Sequence, residues 1–367
     1  MNDEEYMHLA LELAKKGRGK VNPNPLVGAV IVKNGKIIGQ GYHERYGELH
    51  AERNAFKNCT NPAEGATLYV TLEPCCHYGK TPPCTEAIIQ NKIAKVVIGT
   101  LDPNPLMAGK SAALLRNRGI EVVVGVLEQE CQRLIRVFRK YITTQRPYVL
   151  MKYAMTMDGK IATRTGASKW ITGEDARMHV QETRNEYCAI MVGVNTVIQD
   201  DPLLTCRLKD GRNPVRIICD TRLRTPVESQ IVQTAKDVKT IIATSATDEN
   251  KKELYRKKSC IVLDVPKKDD HIDLVQLMRI LGGQKIDSIL LEGGGTLNWS
   301  ALESGIVDAV QTYIAPKIFG GTAVSPVNGL GVACPDEACF LENSIISKIG
   351  NDFLIESEVK HSCLQEL

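Results

Sequence analysis

Apolar runs broken by polar turns divide the chain into short strands and amphipathic helices. Over residues 1–18, Asp3, Glu4 and Glu5 come first and Lys15, Lys16 and Arg18 last, which predicts an amphipathic helix whose charges match its own dipole. Apolar runs at 26–32 and 36–42 flank Asn34-Gly35, the strongest short signal for a tight hairpin. The pattern then predicts a helix at 51–58, a strand at 66–72, a helix at 83–90, a strand at 94–100, a helix near 111–118 and a strand at 121–126. This alternation describes one α/β unit. From 128 to 142, Leu134, Ile135, Phe138, Tyr141 and Ile142 recur at helical spacing until Arg146-Pro147 stops the helix. The boundary is placed there, giving domains at 1–145 and 146–367.

In the second part, strand-like runs at 148–155, 187–194, 215–219, 240–244, 260–265, 286–291 and 307–315 alternate with helix-like ones such as 174–185, a second α/β domain. Neither an internal repeat nor a low-complexity tract interrupts the pattern. A length of 367 residues with 43% hydrophobic and 24% charged content suits two packed cores. A net charge of +3 is too small to mark a nucleic-acid binder and favours small-molecule substrates. The acidic start is the reverse of a secretory signal, and no apolar run approaches the roughly 20 residues that cross a bilayer. A cytoplasmic protein is expected, with its 12 cysteines reduced.

The chemistry gathers in two short segments, His50-Ala51-Glu52 and Pro74-Cys75-Cys76-His77-Tyr78-Gly79-Lys80-Thr81-Pro82-Pro83-Cys84. A catalytic zinc needs three protein ligands and an open position for water, which His50, Cys75 and Cys84 supply. Glu52 stays free of the metal. Hydrolytic removal of an amine needs one carboxyl that takes a proton from water and returns it to the departing nitrogen, and Glu52 is placed for that. His50 and Cys84 both fall at expected helix starts, where the dipole favours a thiolate. A closed zinc knuckle using Cys75, Cys76, Cys84 and a histidine, or buried thiols without metal, is the bland alternative. It leaves unexplained a glutamate two residues from a ligand, whereas His-x-Glu followed by Pro-Cys is the nucleobase-deaminase pattern.

Together with Thr71-Leu-Glu-Pro preceding Cys75, these segments resemble the bifunctional deaminase/reductase family of riboflavin biosynthesis, and the resemblance spans almost the whole chain. The second cysteine stands nine residues after the first, against three in cytidine and tRNA deaminases. The resemblance implies a cytidine-deaminase-like three-layer α/β/α domain followed by a dihydrofolate-reductase-like α/β domain. It also implies that Asn24, His43, His77, Lys80, Asp102 and Asn104 line a pocket for a phosphorylated pyrimidine. On their own Asn24, Asp102 and Asn104 read as turn residues and the histidines as loop residues. Cys76 departs from the family pattern, where serine is expected.

No Gly-x-Gly-x-x-Gly follows a strand in the second half, so a Rossmann site is not supported. Instead the strand-like run 286–291 leads into Glu292-Gly293-Gly294-Gly295-Thr296, a plausible phosphate cradle that could equally be a structural turn. The matching family segments are Lys152-Tyr-Ala154, Met157-Asp-Gly159, Ser168-Lys-Trp170, Val194-Asn-Thr196, Asp200 through Arg207, and Glu292-Gly-Gly-Gly. They imply NADPH as cofactor, contacted by Ala154, Trp170, Thr196, Asp200, Thr221, Gly294, Gly295, Thr296, Leu297, Asn298, Trp299 and Ser300. Substrate would be held by Ser168, Arg184, Leu204, Arg207 and Glu292, the two arginines being suited to a ribose phosphate. Lys152 and Glu292 are the candidates to supply a proton, with Lys152 expected to polarise or protonate the opening ribosylamine, against the reading of a solvent-facing strand lysine. Zinc and NADPH are thus the expected cofactors, and a homo-oligomer the expected assembly, with neither nucleic acid nor membrane as partner. The competing readings are a monofunctional nucleoside or tRNA deaminase with an accessory domain, and a zinc-stabilised nucleotide sensor.

Overall fold

The computed structural model describes residues 1–78 and 82–360. Two compact units divide the chain, Met1–Gln145 and Arg146–Leu367.

In the first, α1 (Asp3–Lys15) begins with a capping box in which Asn2 and Glu5 satisfy each other's amides. The hairpin β1 (Gly28–Lys33) and β2 (Lys36–Tyr42) turns through Asn34 and Gly35, at φ 51° and 73°. Those left-handed residues are what a tight hairpin turn needs. There follow α2 (Ala51–Lys57), β3 (Thr67–Leu72), α3 (Cys84–Gln90), β4 (Lys95–Thr100), α4 (Lys110–Asn117) and β5 (Glu121–Val124). The sheet order is β2-β1-β3-β4-β5. Because side chains alternate along a strand, Ile31, Leu68, Val70 and Ile98 face Ala55, Ile88 and Leu115 of α2, α3 and α4. Val30, Tyr69 and Val97 face Met7, Ala10 and Leu11 of α1 on the other side, which makes three layers. The helices lie very close: a Cβ on Gly28 would stand 1.9 Å from the Ala10 oxygen, and one on Gly41 2.3 Å from the Ala55 nitrogen.

The single helix expected over 128–142 is two, α5 (Glu128–Leu134) and α6 (Arg136–Thr144), separated at Ile135 with φ −98° and ψ 14°. Apolar spacing reports which residues pack and not whether the axis stays straight.

The second unit contains β6 (Tyr148–Thr156), α7 (Glu174–Glu186), β7 (Ala189–Gly193), α8 (Val194–Asp200), β8 (Val215–Cys219), α9 (Gln230–Gln233), β9 (Thr240–Thr244), α10 (Glu249–Lys257) and β10 (Ile261–Asp264). A ribbon of β11 (Lys267–Lys268) and β12 (His271–Ile272) precedes α11 (Leu274–Gly283), β13 (Ser288–Gly293), α12 (Gly295–Glu303) and β14 (Ala309–Ala315). A closing hairpin, β15 (Leu341–Ile349) and β16 (Asp352–Val359), was not expected, since Glu342-Asn343-Ser344 interrupts its apolar alternation at a register shift. The nine strands are ordered β10-β9-β8-β7-β13-β6-β14-β16-β15, parallel from β10 to β14. Chain order reverses around β13, which lies between β6 and β7, and such a point opens a crevice at the carboxyl ends of the strands.

Candidate active sites

His50 is the N-cap of α2, Cys84 opens α3, and Cys75 lies in the loop after β3. Nδ1 of His50 stands 3.4 Å from Cys75 Sγ and 3.5 Å from Cys84 Sγ, and all three donor atoms lie within 4.8 Å of one another. Tetrahedral zinc with bonds of about 2.0–2.3 Å has ligand-to-ligand edges of roughly 3.6 Å, so these residues fit the ion. Hydrogen bonds from the Cys84 thiol and from His50 hold the Cys75 thiol well below its usual range. The contact with Cys75 raises His50. Cys76 is not in the cluster, and among the described residues no other such group exists.

Glu52 sits in the first turn of α2, 3% exposed, and burial raises its carboxyl above the usual range. The ring of His43 meets that of His50 edge-on at 5.5 Å. Burial lowers the His43 pKa, favouring the neutral ring. Its Nδ1 then donates to the Leu49 carbonyl at 3.0 Å while Nε2 accepts from Asn24 Nδ2 at 3.1 Å, a tautomer assigned from these partners. Asp102 is half-buried and raised by desolvation, and its carboxylate accepts the Asn104 amide at 2.9 Å. His77 is exposed, and Lys80 lies outside the described residues.

In the second unit Lys152 of β6 and Glu292 of β13 come from paired parallel strands, each one residue past the last register pair, Met151 with Leu291, and their charges act on each other. From α7, Arg184 grips Glu292 with Nε to Oε1 and Nη2 to Oε2, both 2.7 Å, and its Nη1 donates to the Thr205 carbonyl at 3.0 Å. The guanidinium expected to meet a phosphate is therefore occupied by a carboxylate. Burial would raise Glu292, yet Arg184 and Lys152 hold it at about 2. Desolvation lowers Lys152, against the pull of Glu292, and its Nζ lies 5.7 Å from the centre of the Tyr313 ring. Leu204 is buried at φ 51°, Ser168 is half-buried, and Arg207 is exposed near Glu292, whose charge it helps to hold.

A cavity of about 510 Å³ opens at the carboxyl ends of β7, β8 and β13. Seven of the twelve residues expected at the cofactor, Thr196, Thr221, Gly294, Gly295, Thr296, Leu297 and Ser300, line it. Five other expected contacts lie outside that lining. Asp200 ends α8 in solvent, Ala154 packs under α7, and Trp170 is 60% exposed beneath the Arg177 guanidinium. Asn298 is buried and donates to the Pro326 carbonyl at 2.8 Å, while Trp299 packs so closely on Gly329 that a Cβ there would lie 2.1 Å from its ring. Those two residues of α12 hold the following loop in place.

Residues 1–100 match the cytidine and deoxycytidylate deaminase zinc-binding region, and residues 147–355 match the RibD C-terminal domain. The riboflavin biosynthesis protein RibD of Actinobacillus pleuropneumoniae is 54% identical over 97% of this chain and 95% of its own length. The chain belongs to the RibD family of riboflavin biosynthesis. It carries that family's zinc-binding deaminase fused to its reductase. RibD of Escherichia coli K12 is 41% identical over 88% of this chain and 90% of its own. Among solved structures, Acinetobacter baumannii RibD superposes with a TM-score of 0.85 at 35% identity, covering 98% of this chain and 99% of the other. A deaminase/reductase from Thermotoga maritima gives 0.82 at 40% identity with the same coverage.

One residue of this RibD-family deaminase unit carries a load that its sequence position does not advertise. Glu73, 5% exposed, accepts the backbone amides of Asp102 (3.1 Å), Gly109 (2.9 Å), Ser111 (2.9 Å) and Ala112 (3.1 Å). It thereby fixes the loop bearing Asp102 and Asn104 to the end of β3. The only hint in the sequence is a carboxylate directly after an apolar strand and before Pro74. No helix among the described residues is long and apolar enough to cross a membrane.

Proposed function

We propose that residues 1–145 deaminate 2,5-diamino-6-(5-phosphoribosylamino)pyrimidin-4-one and that residues 146–367 reduce the ribosyl group of the resulting uracil to ribityl with NADPH. The observation that carries the reading is the three-donor cluster of His50, Cys75 and Cys84 with a buried carboxyl, Glu52, beside it. The Thermotoga relative bears the names of these two activities.

His50, Cys75 and Cys84 would hold a zinc ion, which would supply a Lewis acid able to make water nucleophilic near neutral pH. Glu52 takes the water proton on its carboxylate and passes it to the departing amino group, so that ammonia leaves. Neutral His43, fixed by Leu49, aims Asn24 at the ring, and Asn104 reads its other edge; a cation such as Lys80 suits the substrate phosphate. In the reductase unit the cavity lined by Thr196, Thr221 and Gly294 to Leu297 would hold NADPH, which would supply the hydride. Lys152 protonates the ring oxygen released as the ribosylamine opens, while Arg184 keeps Glu292 ionised and turned toward the substrate hydroxyls.

Ammonia should be released from the pyrimidinone substrate without NADPH, and NADPH oxidised only once deamination has occurred. Release of ammonia from cytidine or tRNA instead, with NADPH untouched, would overturn the reading in favour of a monofunctional deaminase.

We also assign the chain to the cytoplasm as a homo-oligomer joined through β15. That edge strand and its approach expose Phe340 (54%), Leu341 (47%), Ile345 (44%) and Ile346 (69%), an apolar edge that a soluble monomer would normally protect. Light scattering should give a multiple of the 40.5 kDa chain mass. Ile346→Lys should shift it toward one chain, and a monomeric parent would refute the assignment.

A further inference from the structure

We propose that Arg222 and Arg224 bind the 2′-phosphate of NADPH and so set the preference for NADPH over NADH. The inference rests on the reductase reading and adds the residues that select the cofactor.

Strand order fixes which end of a dinucleotide goes where. The reacting end must meet Lys152 and Glu292, at the β6–β13 pair. The diphosphate has its natural seat at the turn after β13, where Gly293 (φ 112°) and Gly294 (φ 88°) lead into the N-terminus of α12. From that turn the cavity lining continues away from β6, across Gly193 to Thr196 after β7, and on to Cys219 to Arg222 and Arg224 after β8. With strands about 4.8 Å apart, the end of β8 lies roughly 10 Å from that of β13. With the nicotinamide over β6 and the diphosphate over β13, the adenosine ribose falls over β8.

The charges at that end suit an extra phosphate. Neither Arg222 nor Arg224 has an acidic partner within 4 Å among the described residues, and both are exposed at the cavity. Arg224 Nη2 donates to a neutral oxygen, Asn195 Oδ1, at 2.8 Å, which orients the guanidinium without neutralising it. Of the acids lining the cavity, Asp270 pairs with Lys267 at 3.4 Å. Asp220 is fully buried, and its Oδ2 accepts the Thr225 amide and hydroxyl, each at 2.7 Å. Those two bonds pin the turn that presents both arginines. Oδ1 of Asp220 is buried without a hydrogen-bond partner. Guanidinium forks pair with a phosphate monoester through parallel hydrogen bonds, and a 2′-hydroxyl offers no such charge.

The test measures kcat/KM with NADPH and with NADH for the parent chain, Arg222→Ala, Arg224→Ala and the double variant. It is paired with calorimetric titration of 2′-AMP and 5′-AMP. Each single substitution should lower the NADPH value roughly ten- to a hundredfold, mostly through KM, the range of one charged hydrogen bond. The NADH value should move by less than about twofold, which is the margin of an exposed charge making no contact. The double variant should bind 2′-AMP no better than 5′-AMP. NADPH and NADH falling together, or an unchanged preference, would overturn the proposal. A parent chain that never oxidises NADPH with deaminated substrate would overturn the reductase reading and this inference with it.

Discussion

Glu52→Gln should lower the rate of deamination by roughly two to four orders of magnitude, the span of a positioned general acid/base. Zinc content and reductase turnover should be unchanged. The amide keeps the shape and the helix position of the carboxyl but can neither accept the water proton nor hand one to the leaving nitrogen. Because Glu52 is 3% exposed, solvent cannot easily substitute for it. Metal analysis of the purified variant is the decisive companion measurement. Zinc lost together with activity would make Glu52 a ligand and Cys75 or Cys84 dispensable, against the 3.4 Å and 3.5 Å contacts that both thiols make with His50. A rate loss below tenfold with zinc retained would move the proton transfer to another group, such as buried His43, whose ring meets that of His50.

What could be read from the sequence followed the range over which its signals act. The hairpin was legible because Asn34-Gly35 dictates its own backbone, and the cluster of His50, Cys75 and Cys84 because these residues sit in two short motifs at element boundaries. Glu73 was not, since the amides it holds lie 29 to 39 residues further on and a backbone donor leaves no mark in side-chain identity. The Arg184–Glu292 pair closes over 108 residues, so each partner read alone as a substrate contact. In the glycine-rich turn, the family resemblance named the segment from Gly294 to Ser300, yet helical rotation divides it. Gly295, Thr296, Leu297 and Ser300 line the cavity, whereas Asn298 and Trp299 face the loop around Pro326 and Gly329. A contiguous stretch at a helix start presents only part of its residues to one side.

Lys152→Met should reduce NADPH oxidation by roughly two to four orders of magnitude while NADPH binding and ammonia release persist. The loss alone would not separate proton donation from simple charge, and two further results do. Lys152 is lowered by desolvation, then supported by Glu292 and opposed by Arg184, with a net shift below the ordinary lysine range. The donor is the cation, so turnover should hold on the acid side and fall as pH rises through this lowered pKa, earlier than an unperturbed lysine would give. That alkaline limb should vanish from the residual activity of Lys152→Met, and a limb that survived would belong to another group. Lys152→Arg supplies the second result. Arginine keeps the positive charge beside Glu292 but does not release its proton at any pH the enzyme tolerates. If the lysine served only to balance Glu292, which Arg184 already holds at about 2, arginine would restore most of the rate. Failure of arginine to restore it, with the pair geometry able to accept a cation, places the proton itself in the reaction.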